Sequence, residues 1–323
     1  MKEKRQNDAS ILHGLWALVF LLFIIAAVTA PLVLSGCSLQ RTGLRPPLSE
    51  GIAFVSQQGQ QDNINNEVYW AFRDGSLQIN MTRSQASDIN PAYSTHGNQI
   101  AFASDRTGNW DIFNMMDEGT PMNLTNNPMD DLEPAFSPDG SQIAFATNRD
   151  GNFEVYIINA DGTGQANLTV SPAGSMSNNR QPAFSPDGSR IAFVSDRDGG
   201  MPQLYIMNAN GSSQTNLRID TASFYGHPSF SPDGGRIAYA SNVTGDYDIW
   251  IMNADGTGVP TNLTNYPGAS DIEPVFRPDG RIVFGSDRHD PNFEVYIMNA
   301  DGTGVTRLTT NTALDLPRLY LPR

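Results

Sequence analysis

Beyond Arg5 the chain contains no lysine, so the positive charge of the body comes from arginine alone. Acids outnumber bases 34 to 20 and the net charge is −14, which excludes a surface built to grip a nucleic-acid backbone. One cysteine in 323 residues leaves no internal disulfide and no zinc site made of several thiolates. Histidine is scarce too, at four. His13 lies in an apolar leader, His96 replaces aspartate in a turn, and His289 falls in a loop; only His227 sits where a channel could use it. Neither a Gly-x-Ser-x-Gly elbow nor a His-Glu-x-x-His pair occurs, and no motif assembles a nucleophile, base and acid. The chain is therefore expected not to be an enzyme. A hydrophobic share of 39% is ample for a packed core and rules out a disordered or collagen-like polymer.

Lys2, Lys4 and Arg5 precede a run, Ile11 to Leu34, with no charged residue apart from the titratable His13. As a helix such a run is about 36 Å long, enough to cross a bilayer, and the basic start places the N-terminus in the cytoplasm. One reading is an uncleaved anchor. The run ends in Leu34-Ser35-Gly36-Cys37, however, which resembles the lipobox of bacterial lipoproteins. That resemblance implies cleavage before Cys37 and acylation of its thiol. Residues 1–36 are thus expected to be a signal peptide, and 37–50 a lipidated cysteine and tether containing Pro46 and Pro47. Both readings place the body, 51–323, on the extracytoplasmic side of a membrane.

The body repeats itself. Ser137-Pro138-Asp139-Gly140 recurs at 185–188, at 231–234, and at 277–280 with Arg277 in place of serine; Ser94–Gly97 is a degenerate copy. Ile52, Ile100, Ile143, Ile191, Ile237 and Ile282 each open an Ile-Ala-Phe-like strand, at intervals of 48, 43, 48, 46 and 45 residues. That period suits four strands per propeller blade. Asp-Gly pairs supply hairpin turns because glycine accepts positive φ, and short alternating runs such as Val155–Ile158 supply strands. One such sheet cannot bury both faces alone, so the units must stack around an axis. The expected fold is an all-β, six-bladed propeller with four antiparallel strands, A to D, per blade. Blade one lacks its own strand A; the pattern Leu316–Tyr320 is expected to supply it and close the ring, which removes the exposed sheet edge.

These repeats resemble the TolB-type β-propeller family, whose units also occur in some prolyl-oligopeptidase-like and tricorn proteases. The resemblance covers 50–323 and rests on Pro-x-Phe-Ser-Pro-Asp-Gly, Ile-Ala-Phe and Asn-x-Asp-Gly in order. No room exists between Cys37 and Glu50 for the α/β domain that TolB carries, and no hydrolase domain is visible. The resemblance implies a module that binds peptide segments of partner proteins at the mouth of its channel.

Two sets of residues are candidates for that mouth. Asn90, Glu133, Gln181, His227, Glu273 and Leu316 precede the strand-A proline, and Asp88, Asp131, Asn179, Tyr225, Asp271 and Leu314 lie three positions before it. They vary while the turns and aromatics stay fixed. Asp88, Asn90, Asp131, Glu133, Gln181, His227, Asp271 and Glu273 are the expected partner-binding rim. The competing reading pairs the carboxylates with Arg106, Arg149, Arg197 or Arg288 of the B–C loops. An acidic rim suits a basic or amide-rich peptide. Thr147–Glu154 spaces oxygen ligands in a way that makes calcium a candidate, although it lacks the full twelve-residue loop; no cofactor is otherwise expected. The recurring aromatics, Phe54, Phe102, Phe145, Phe193, Tyr239 and Phe284 on strand B and their strand-C partners, are expected in the core. Trp70 and Trp110 break the pattern and are expected at the surface. The leading expectation is a monomeric, non-enzymatic, lipid-anchored scaffold of the bacterial cell envelope with a protein or peptide partner and no nucleic acid. Alternatives are a propeller-type hydrolase or lyase acting on peptide or carbohydrate, or a small-ligand sensor.

Overall fold

The computed structural model describes residues 51–317 except 58–64, 95–97, 117–118, 172–174, 218–222 and 290. The leader, Cys37, the tether, His96 and residues 318–320 of the closing segment lie outside the described residues.

Six four-stranded antiparallel sheets make up the described chain. Blade two shows the plan, with strands Asp88–Tyr93, Gln99–Ser104, Asp111–Met116 and the short Met122–Asn123. Strands A of successive blades lie beside one another, which places them innermost around a common axis. The Ser-Pro-Asp-Gly turns sit at one end of the blades. There Ser137 Oγ donates to Asp139 Oδ1 at 2.6 Å and accepts from the Gln142 N–H at 2.9 Å. Gly140, at φ 71°, takes the left-handed position that this turn requires.

The ring closes as the repeat arithmetic requires. Blade one is built from Ile52–Ser56, Glu67–Ala71 and Ile79–Asn80, and Asp315–Leu316 from the far end of the chain completes it. Val55 pairs with Leu316 and Ser56 with Asp315. The register corrects one sequence assignment: Asp315, not Leu314, occupies the place of Asp88. The reason is a bulge. Every other strand A carries an extra residue between its acid or equivalent and its proline, and the closing strand has one residue fewer.

The core lies between blades. Phe102 faces Phe113, Phe145 faces Tyr156 and Phe193 faces Tyr205 directly across strands B and C, with ring centroids 5.4–6.0 Å apart. Each pair packs on aliphatic side chains of the neighbouring blade; Phe193 and Tyr205, for example, cluster with Val155 and Ile157. Burying one such ring contributes roughly 1.5–3 kcal/mol, so this layer is the main force holding blade to blade. Trp70 belongs to it as well, contrary to the surface position expected. It is fully buried, and its indole fills the space where Gly51 has no side chain. Trp110 is half-buried against the core, again not on the surface.

Candidate functional site

The candidate rim residues divide into two rings with different jobs. The outer ring opens strand A. Asp88 accepts from Arg106 Nη2 at 3.0 and 3.1 Å, Asp131 from Arg149 at 3.0 Å, Asn179 from Arg197 at 2.7 Å, and Asp271 from Arg288 at 2.8 and 2.9 Å. In each blade the arginine Nε also donates to a Ser or Thr at the end of strand B, and its guanidinium lies over the strand-C aromatic 4.6–5.1 Å away. Burial pushes the Asp88 and Asp131 carboxyls above their usual range, against hydrogen bonds from Ser104 or Thr147 and the attraction of the arginines. These side chains are wholly buried and hold the B–C loops to strand A.

The inner ring is the bulge. Asn90, Glu133, Gln181, His227 and Glu273 all have φ between 51° and 58°, a region L-residues enter only under constraint. In Glu133, Gln181 and His227 that conformation turns the backbone N–H toward the preceding blade. Glu133 N–H donates to Asn90 Oδ1 at 3.3 Å, Gln181 N–H to Glu133 Oε2 at 2.8 Å, and His227 N–H to Gln181 Oε1 at 2.8 Å. The chain of bonds stitches four blades around the throat. Glu133 also pairs with Arg180 at 3.1 Å, whose guanidinium covers Phe153 at 4.1 Å.

Blade five breaks the outer ring. Tyr225 stands where the others carry Asp or Asn, and Val243 where four of them carry arginine and blade one carries Gln58 in sequence. Tyr225 stacks on Tyr239 inside, while Phe224 gathers Tyr247 and His227 at 5.6 and 6.2 Å. Gly226 is required here: a Cβ would stand 2.3 Å from the Phe224 ring. The B–C and D–A loops around this end expose Val243, Met129, Met176, Met201 and Tyr266, with Met176 83% exposed.

The last residues of strand A and the start of blade one enclose a cavity of about 280 Å³, lined by Tyr93, Phe136, Phe184, Phe230 and Phe276, small residues such as Ala183, and Arg277.

Two features escaped the sequence reading. An acid or amide opens every strand C, and Thr125 and Thr264 donate to Asp111 and Asp248 at 3.2 Å, as Thr169 does to Glu154. The D–A loop N–H is held by the first B–C loop residue, as in Asp130 N–H to Asn148 Oδ1 at 2.9 Å and Phe224 N–H to Asn242 Oδ1 at 2.8 Å. The recurring Asn-Leu-Thr and Asp/Asn spacing carried both signals. Within the calcium candidate, Glu154 is taken by Asn152, Thr169, Ser171 and Asn179, and Asp150 by Tyr156 and Asn167. Among the described residues no group of three or more His, Cys, Asp or Glu could hold a metal ion.

The sequence profile of the TolB beta propeller domain matches residues 41–225 and 214–320, and the chain belongs to that family. TolB from Acinetobacter baumannii is similar in structure, with a TM-score of 0.70 and 24% identity over 86% of this chain and 68% of that one. A TolB-assigned protein of Agrobacterium tumefaciens superposes with a TM-score of 0.65 at 20% identity, over 83% of this chain and 90% of its own. An oligogalacturonate lyase from Vibrio parahaemolyticus shares the fold more distantly, at a TM-score of 0.53 and 13% identity over 80% and 71% of the two chains. No curated protein sequence matches. At these identities the structural likenesses show the fold alone.

Proposed function

We propose that the chain is a non-enzymatic interaction module of the bacterial cell envelope, anchored through an acylated Cys37, that binds a protein or peptide partner at the face formed by the D–A and B–C loops. Family membership supports a scaffold role. The observation that carries the choice of face is the break at blade five. Where four other blades pair an Asp or Asn with an arginine, and blade one keeps Asp315, this blade has Tyr225 and Val243, and Phe224 and Tyr247 gather beside His227. Exposed Met129, Met176, Met201 and Tyr266 surround the same end. Flexible thioethers and aromatic rings suit a peptide's apolar side chains. The throat residues Asn90, Glu133, Gln181, His227 and Glu273 line the same end, with three of them held by the bonds that stitch the blades together. Behind them Asp88, Asp131 and Asp271 are each paired with an arginine, and Glu133 is paired with Arg180, so the mouth offers amide, imidazole and aromatic contacts rather than a net negative field, and the partner segment is apolar and amide-rich.

The test is photo-crosslinking in intact cells from a reactive residue at Val243 or, on the opposite face, at Val259, which is 92% exposed. A discrete adduct from position 243 and none from 259 supports the face. The reverse pattern refutes it.

A further inference from the structure

Arg277 stands where the three intact Ser-Pro-Asp-Gly turns carry serine, and it sits at the far mouth of the channel from the face described above. In the other turns serine bridges aspartate and backbone, as Ser137, Ser185 and Ser231 do at 2.5–2.6 Å from their aspartates. The turn at 277–280 keeps its backbone bonds without that serine: Arg277 N–H donates to Arg281 O at 2.8 Å and Gly280 N–H to Arg277 O at 2.9 Å. The guanidinium is therefore not needed to make the turn.

The Arg277 side chain is 6% exposed and lines the cavity of about 280 Å³. Its Nη1 donates to Gly51 O at 2.8 Å. Its Nε makes only a long ion pair, 3.5 Å, with Asp279, a carboxylate that Arg281 also holds at 3.0 and 3.2 Å. A guanidinium has five N–H donors, and a buried one left incompletely paired is unfavourable. Burial accordingly pushes its pKa down. The rest of the wall carries the aromatic residues Tyr93, Phe136, Phe184, Phe230 and Phe276 and small residues such as Ala183, together with polar groups that include Ser229. Such a well, of mixed aromatic and polar lining with one convergent charge, has the make-up of a small-molecule site just below the usual size range.

We propose that this mouth binds a small monocarboxylate with an apolar body, its carboxylate on Arg277 and its hydrocarbon part inside the aromatic collar. A carboxylate matches the planar fork of the guanidinium and supplies the missing acceptors. A divalent or highly polar anion would leave the collar uncovered. The site is independent of the partner face, because it lies at the other end of the channel.

The experiment is calorimetric titration of the full-length protein in nonionic detergent with 4-phenylbutyrate and with its neutral counterpart 4-phenylbutanol, each corrected for detergent alone. Saturable 1:1 binding of the acid, at least ten-fold tighter than the alcohol, is expected. Arg277→Ser, which restores the residue of the other turns, should weaken the acid at least ten-fold and leave the alcohol unchanged. Ala183→Leu fills the bore without touching the charge and should weaken both; it decides the matter if Arg277→Ser lowers the melting temperature. Absence of saturable binding to the wild type, equal affinity for acid and alcohol, or unchanged affinity in Ala183→Leu would each overturn the proposal.

Discussion

Replacing Asp315 by asparagine should raise stability at neutral pH, although it removes a buried hydrogen-bonding carboxylate from the strand that closes the ring. Asp315 accepts from Ser56 Oγ and Asn311 Nδ2, both at 2.5 Å, and is fully buried. Its equivalents Asp88, Asp131 and Asp271 face arginine; in blade one the matching sequence position is Gln58. Burial pushes its carboxyl up to about 6 from 3.8, with nearby Glu294 adding to the effect and Ser56, Asn311 and Thr309 opposing it. The folded state thus holds the proton more tightly than the unfolded chain. Its contribution is present in full below pH ~4, is lost as pH rises from about 4 to 6, and is absent above. At about 1.4 kcal/mol per pH unit the loss amounts to roughly 3 kcal/mol at neutrality. Asparagine escapes that loss and keeps one acceptor oxygen, but it turns its NH2 toward a buried donor, Ser56 or Asn311, which costs about 2 kcal/mol. The net gain at pH 7 is therefore about 1 kcal/mol, or ~2–4 °C in melting temperature for a domain of this size. Thermal melts of both proteins from pH 4 to 7.5 give the difference curve, which cancels titrations common to both, such as those of Glu67, Asp88 and Asp131. A difference that does not change with pH, or that favours the wild type at pH 7, refutes the argument.

Other consequences can be measured separately. Arg149→Ala strands the buried Asp131 carboxylate and should cost about 3–5 kcal/mol in denaturant unfolding. Deleting residues 314–323 removes the strand that pairs with Ile52–Ser56 and should lower the melting temperature far more than loss of a tail, checked by calorimetry. The turn carboxyls Asp139 and Asp187 are held down at about 2 by hydrogen bonds from Ser137 and Ser185. Their contribution is present above pH ~4 and lost as pH falls toward 2, so Asp139→Asn should flatten the acid limb of stability. Cys37→Ala should abolish incorporation of labelled palmitate and leave an unprocessed precursor.

The fold was legible because the repeat is local: each Asp-Gly turn, Ile-Ala-Phe strand and aromatic position announces its own strand, and six copies leave one architecture. Closure was legible from a missing strand at one end and a spare pattern at the other. The one-residue slip at Leu314 arose because a bulge has no residue signature of its own; only the register between Asp315 and Ser56 reveals that blade one lacks it. Trp70 was misplaced for a related reason. Its partner is the empty space at Gly51, which is nearby only after the strands pair. At the site, the sequence marked the variable positions but not their division into a buried ring facing arginine and a strained inner ring. That division depends on φ and on contacts between blades some 46 residues apart, as in His227 with Gln181. The Arg277 cavity was equally hidden, since its collar is assembled from residues of every blade.

The most direct test of the partner face is calorimetric titration of the protein captured at position 243 against wild type and Val243→Arg, which puts into blade five the side chain that four other blades carry. The variant should melt at the wild-type temperature and bind at least ten-fold more weakly, because the added guanidinium covers the apolar gap. Unchanged affinity in a folded variant would contradict the account and place the functional surface elsewhere on the propeller.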